Sequence, residues 1–548
     1  MSLGKVMMAA CALALSATQG WAAEPSAAEV QESADNIKAH VTFLASDLLQ
    51  GREAGSPGYD IAAAYVASQM AQLGLKPGGD RGTYFQHVPM VAYQAADQGI
   101  FVLRDKVGKA IPLVFGEDYI VSRNPVAAQT KVSGPLVFVG YGVVAPEHKR
   151  NDYAGLNVKG KIVVALSGAP AGYQTEERAY YASGRTKRAL AEARGAVGFL
   201  QVGTPGDEKL YPFANAARQW KSWGMSWRTT SGGAFAVAPK APLLAAISVK
   251  GAEKLFAGAP ADLSRIVEMA QSKAADPPRF TLPLTLEAAF ATTIKPVESS
   301  NVLGLIEGAD PKLKDEVVVL SAHLDHLGVG EPVNGDAINN GALDNAAGSA
   351  TTLEVARMFM ASGQPPKRTI LFLLDTGEEK GLVGAEYFAR NPTVPLSSIV
   401  ADVDLDMPIL TYDFTDVVAF GAERSSIGPA VRRAAAGMNI ALSPDPMPDE
   451  GLFTRSDHYR FVEVGVPAVF FMTGFANGGE KEFRTFLAQR YHKPSDDLSQ
   501  AINWNAGAKF ARLNYEVTRE LTDAAERPAW NKGDFFGTKY AGKPQRQP

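Results

Sequence analysis

The sequence predicts an α/β protein: a three-layer sandwich around a mostly parallel (mixed) sheet, with a β-rich unit inserted in it. Three observations predict this. Between residues 286 and 526, short apolar runs alternate with amphipathic stretches, as strands and helices do in a parallel sheet covered on both faces. Between 121 and 285 the chain turns to strands and tight turns with few helical stretches. Histidines and carboxylates gather just beyond the apolar runs, at the sheet edge where open α/β folds bind ligands.

In chain order, the first segment stands apart. Lys5 is the only charge in the first 23 residues, Val6 to Leu15 is apolar, and small residues surround Ala22 and Ala23. That is the order of a secretory signal, so a periplasmic or secreted product is expected. Cys11 is the only cysteine and lies in that segment, which leaves the exported chain without disulfides or thiolate ligands.

With 548 residues the chain exceeds the size of one core, and two or three domains are expected. Ala62, Ala63, Val66, Met70 and Leu73 recur at helical spacing after a loop rich in glycine around Arg52. Strands are predicted to start near Val317, Thr369, Ile399 and Pro467, and helices near Ala346, Gly381, Pro429 and Trp504. The expected plan is a signal peptide at 1–23, a first part of the main domain at 24–120, the β-rich unit at 121–285, the catalytic part at 286–526 and a loose tail at 527–548.

Composition narrows the function classes. Hydrophobic residues make up 46% and charged residues 20%, with a net charge of −4. Such a balance offers no basic face for nucleic acid. Beyond the signal segment no apolar run reaches the length of a membrane helix, so no stable membrane insertion is expected. Nothing in the sequence sets an oligomeric state.

The chemistry lies at the strand ends. His323, Asp325 and His326 follow the first strand of the last part. Asp375, Glu378 and Glu379 follow the second, and Asp404 and Asp406 close the third. Asp344 precedes a helix, and His492 precedes the last one. Imidazole nitrogen and carboxylate oxygen without sulfur suit zinc in a catalytic site, and manganese or cobalt as well. Several carboxylates at one site repel each other unless cations neutralise them, as two neighbouring divalent ions would. Taken singly each residue has a plain structural explanation, Asp344 as a helix cap or Glu378 as an acidic first turn. Together they do not.

Their ordered motifs resemble the dizinc aminopeptidase family that includes glutamate carboxypeptidase and the transferrin receptor. The stretches are Ala322-His323-Leu324-Asp325-His326, Gly341-Ala342-Leu343-Asp344-Asn345-Ala346-Ala347-Gly348, Gly377-Glu378-Glu379-Lys380-Gly381-Leu382-Val383-Gly384, Asp404-Leu405-Asp406-Met407, Ser456-Asp457-His458 and Tyr491-His492. The resemblance covers nearly the whole exported chain. It implies two Zn2+ per chain, with His323 and Asp406 on one, Glu379 and His492 on the other, and Asp344 bridging. It further implies Glu378 as general base, Tyr491 as donor to the oxyanion, and Asp325 as the partner that orients His323. Asp404 stands where the family usually has Asn, and adds a negative charge beside the site. The stretch Asn151-Asp152-Tyr153-Ala154-Gly155-Leu156 and Ala191-Glu192-Ala193-Arg194-Gly195-Ala196 resemble a protease-associated domain.

The expected function is removal of N-terminal residues from peptide substrates. A carboxypeptidase or dipeptidase of the same family is the alternative, and a binding protein that has lost catalysis is a further one.

Overall fold

The computed structural model describes residues 25–272 and 276–542, so the expected signal peptide at 1–23 lies outside the described residues. Helix Ala27–Leu44 begins in a capping box, in which Ser26 and Glu29 satisfy each other's backbone N–H groups. Helix Pro57–Gln72 starts on the Ser56 cap with proline in its first turn, where the missing N–H costs nothing. Both bury an apolar stripe, Ile37, Val41 and Leu44 on the first and Tyr59, Ala62, Val66 and Met70 on the second.

The core of the central sheet is four parallel strands. Thr369–Asp375 pairs with Val317–His323, which pairs with Ile399–Leu405, which pairs with Ala468–Thr473. Every residue of these four strands is buried, the signature of a sheet covered on both faces. Antiparallel strands flank them, Asp416–Phe420 on one side and the long Phe280–Ile306 on the other, which makes the sheet mixed. Helices Ala27–Leu44, Ala347–Ala361 and Trp504–Asp523 pack together as one layer, and Val383–Arg390 packs with His458–Glu463 in the other.

Phe280–Ile306 also builds the inserted unit. Its first half pairs with Ile100–Arg104 and Gln129–Phe138, and its second half with Phe85–Ala95 and Thr369–Asp375. The second sheet therefore starts at Ile100, ahead of the expected boundary at 121. The expectation of few helices is also corrected, because six short helices lie between Thr175 and Gln271. Ion pairs join the two units: Arg185 to Glu386 at 2.6 Å, Arg178 to Asp449 at 2.6 Å, and Arg424 to Glu176 at 2.8 Å.

The segment expected as a loose tail packs on the core through Trp530, Phe535, Phe536 and Tyr540. Trp530 Nε1 donates to the carbonyl of Gly465 at 2.8 Å, and Phe536 is wholly buried against Phe453. Its aromatic residues outweigh the prolines and lysines that suggested a loose tail.

Candidate metal centre

Three of the parallel strands hand polar groups to the same edge. His323 is the last residue of its strand, Asp406 follows Leu405, and Glu378 and Glu379 follow Asp375 by a few residues. Asp344 sits in the turn Ala342–Ala346 ahead of helix Ala347–Ala361. His492 comes from the loop after helix Gly479–Gln489, with a left-handed φ of 58°.

The structure brings these residues together around Asp344. His323 Nε2 lies 3.1 Å from Asp406 Oδ1 and 3.3 Å from Asp344 Oδ1. His492 Nε2 lies 3.1 Å from Glu379 Oε2 and 3.4 Å from Asp344 Oδ2. The two oxygens of one carboxylate thus face two separate histidine–carboxylate pairs. All are buried or nearly so except His492, whose side chain is 37% exposed and lies on the open side.

The electrostatics follow from this crowding. Burial opposes charge on His323, but Asp406 and Glu378 hold its pKa well above the ordinary value. Burial likewise opposes charge on His492, and Glu379 and Asp344 lift it to about 10. Burial and Glu379 push the Asp344 carboxyl up, and its bonds to His323 and His492 bring it down to about 2. Burial drives Glu378 well above the carboxylate range. In the protein alone, protons on imidazole help to balance the carboxylates.

This donor set fits divalent cations. His323, Asp344 and Asp406 present three ligand atoms close enough to share one ion. Asp344 Oδ2 and Glu379 Oε1 are buried, and the histidine nitrogens near them are not aligned for a hydrogen bond, a costly state that a cation would relieve. A second group, His326 with Asp344 and Glu379, also converges. His326 Nδ1 lies 2.6 Å from Glu379 Oε1, so each oxygen of Glu379 faces its own histidine. From the sequence, His326 stood only near the loops; its adjacency to Asp325 was the one available signal.

One expectation changes, and one is given a place. Asp325 does orient His323, but through its main chain: His323 Nδ1 donates to the Asp325 carbonyl at 3.1 Å. Its carboxylate instead accepts the Glu378 N–H at 3.1 Å and so fixes the loop bearing both glutamates. Asp404, the departure from the family pattern, does not line the pocket. Its carboxylate is buried and accepts from Ser456 Oγ at 2.5 Å, Ser321 Oγ at 3.2 Å and the His458 N–H at 3.3 Å.

Arg52 is the residue the sequence did not reveal. It is wholly buried, and its guanidinium donates to the carbonyls of Leu324, Asn340 and Gly341, the loops that carry His323 and Asp344. Its neighbour Glu53 pairs with Lys380 at 2.8 Å, next to Glu379. The signal was a lone arginine in a glycine-rich loop, which is weak.

A pocket of about 480 Å3, part of it open to solvent, adjoins the cluster. Asp344, Glu378, Asp406, Tyr491 and His492 form one wall, and Met407, Phe470, Met472 and Phe483 supply an apolar one. The Tyr491 ring stacks on His492 at 3.7 Å between centroids, and burial raises its hydroxyl well above the ordinary value. Among the described residues no helix is long and apolar enough to cross a membrane.

Comparison with known proteins agrees with this geometry. Residues 301–518 match the Peptidase family M28 pattern. A probable zinc metalloprotease of Pyricularia oryzae is 29% identical over 278 residues, covering 44% of this chain and 54% of that protein. Leupeptin-inactivating enzyme 1 of Streptomyces exfoliatus is 26% identical over 255 residues, covering 45% and 52%. The chain thus spans about half the length of these curated relatives. The aminopeptidase from Aneurinibacillus sp. strain AM-1 has the same fold, with a TM-score of 0.52 at 18% identity over 92% of this chain and 99% of that one. His323, Asp344, Glu379, Asp406 and His492 all fall inside the matched region, and it is this region that is similar to peptidase family M28.

Proposed function

We propose that this chain is an exported zinc-dependent aminopeptidase with two metal ions per chain. The observation that carries the reading is Asp344, whose two carboxylate oxygens face two histidine–carboxylate pairs. His323 and Asp406 would hold one ion, Glu379 and His492 the other, and Asp344 both. His492 is preferred over His326 because its Nε2 faces Asp344 as well as Glu379, just as His323 Nε2 faces Asp344 and Asp406. His326 then serves to orient Glu379.

When bound, the zinc ions would polarise the scissile carbonyl and make water more acidic. The protein's own groups do the rest. Glu378 takes a proton from the attacking water and delivers it to the leaving amine. Asp325 holds the Glu378 backbone in place for that transfer. Tyr491, kept protonated by burial, donates to the oxygen on which charge develops. The apolar wall takes a side chain of the substrate and excludes water from the site. The signal-like segment supports export, and the unit between Ile100 and Phe280 supports a protease-associated domain that flanks the cleft.

The test is hydrolysis of aminoacyl p-nitroanilides and unblocked peptides by the zinc-loaded protein, beside N-acetylated peptides. Release of N-terminal residues that stops on acetylation is expected. Cleavage of acetylated peptides from their C-terminus would replace this reading with a carboxypeptidase, and no cleavage with two zinc ions bound would leave a binding protein.

A further inference from the structure

The pocket beside the metal cluster also carries a charge of the other sign. Among its described lining residues Arg455 is the only permanent cation. It follows the short turn Leu452–Thr454, and its side chain is 41% exposed.

One corner of the guanidinium is held. Nη1 lies 3.3 Å from each of three acceptors: the Tyr211 hydroxyl, Glu450 Oε2 and the Glu450 carbonyl. Tyr211 comes from the inserted unit, just beyond helix Pro205–Leu210, and its hydroxyl bonds Glu450 directly. These contacts are long beside the 2.7–2.9 Å of a strong charge-assisted bond, and all fall on one nitrogen. Nε and Nη2 have no hydrogen-bond partner among the described residues. The free edge of a planar fork is the geometry that takes a carboxylate in two parallel bonds, which a lysine could not reproduce.

What sits there must be an anion that enters a pocket otherwise lined by Asp344, Glu378 and Asp406. The substrate of a peptidase has one such group at a fixed place, its terminal carboxylate. Arg455 and the metal cluster line the same pocket, so a substrate that reaches both is short. The lining carboxylates would repel that group, and Arg455 is the permanent cation among the described lining residues that attracts it.

We propose that Arg455, steadied by Glu450 and by Tyr211 of the inserted unit, binds the terminal carboxylate of the substrate, and that the preferred substrates are dipeptides with a free C-terminus. This rests on the peptidase reading of the metal centre. It gives the inserted unit a part in selecting the length of the peptide.

The experiment compares Leu-Gly with its amide, Leu-Gly-NH2, on the zinc-loaded full chain, with leucine p-nitroanilide as a substrate that lacks any carboxylate. The wild type is expected to favour the free acid in kcat/KM by tenfold or more, chiefly through KM. Arg455→Gln should bring that ratio close to one, Arg455→Lys should recover part of it, and Tyr211→Phe should lower it less than Arg455→Gln. Zinc content and thermal melting of each variant report folding independently. Equal turnover of acid and amide by the wild type, or an unchanged ratio in Arg455→Gln, overturns the assignment while leaving the peptidase intact. Turnover of none of the three substrates by a protein with two zinc ions overturns the peptidase reading and this one with it.

Discussion

Arg52 Nε donates to the main-chain carbonyl of Leu324 at 3.0 Å, across 272 positions of sequence. The same side chain reaches Asn340 and Gly341, so a helix-linking loop near the N-terminus fastens the loops on which His323 and Asp344 stand. Burial lowers its pKa to about 10, against the pull of Asp325 and Asp496, and it stays charged at neutral pH. It places a fixed positive charge behind the carboxylates without occupying any of their oxygens.

Arg52→Met is therefore expected to cost stability and metal together. It strands several buried carbonyls, each worth roughly 1–3 kcal/mol, for a loss of about 3 kcal/mol or more. Urea unfolding checks the first effect and zinc titration of the folded variant the second. Unchanged zinc affinity would confine Arg52 to a structural part.

Glu378→Gln should keep both ions and lose turnover by about a hundredfold or more, the range of a lost general base. Metal analysis beside kcat on an aminoacyl anilide decides. Near-normal kcat would remove Glu378 from the proton transfer.

Asp344→Ala should reduce binding of both ions, whereas Asp406→Ala or His323→Ala should spare one, because only Asp344 faces both histidine–carboxylate pairs. Zinc stoichiometry at equal free metal reads this directly.

The two histidines on Glu379 separate in the same assay. His492→Gln is expected to lose one ion, and His326→Gln to retain both with weaker affinity, about tenfold or more, as for other groups that orient ligands. The reverse order would make His326 the ligand.

His40 gives the chain an acid-sensitive joint outside the candidate metal ligands. Burial pushes its pKa from 6.5 to about 4, and Nδ1 lies 2.9 Å from the Tyr65 hydroxyl. The unfolded chain takes up a proton below pH 6.5, while the folded chain does so only near pH 4. The stability that His40 supplies is thus present above pH 6.5 and is lost as pH falls through about 4, by no more than about 3 kcal/mol. His40→Gln should lose less stability than wild type between pH 7 and pH 4.5, measured by urea unfolding.

The sequence by itself determined the sheet and the residues at its edge. The runs from Val317, Thr369 and Ile399 are apolar throughout because both faces of a parallel strand are buried, and that continuity is visible without coordinates. Where each run ends, His323, Glu378, Glu379 and Asp406 interrupt it, so the gathering of ligand-type side chains was legible as well. The tertiary structure decided how they face one another. Whether Asp325 meets His323 by its carbonyl or its carboxylate, whether His326 or His492 faces Asp344, and that Arg52 and Tyr211 reach the site at all depend on contacts between distant segments. Periodicity records only which face of an element is buried. The partner across that face, and the atom that meets it, are set by packing, which is why the aromatic segment around Trp530 read as a tail until Gly465 and Phe453 were found against it.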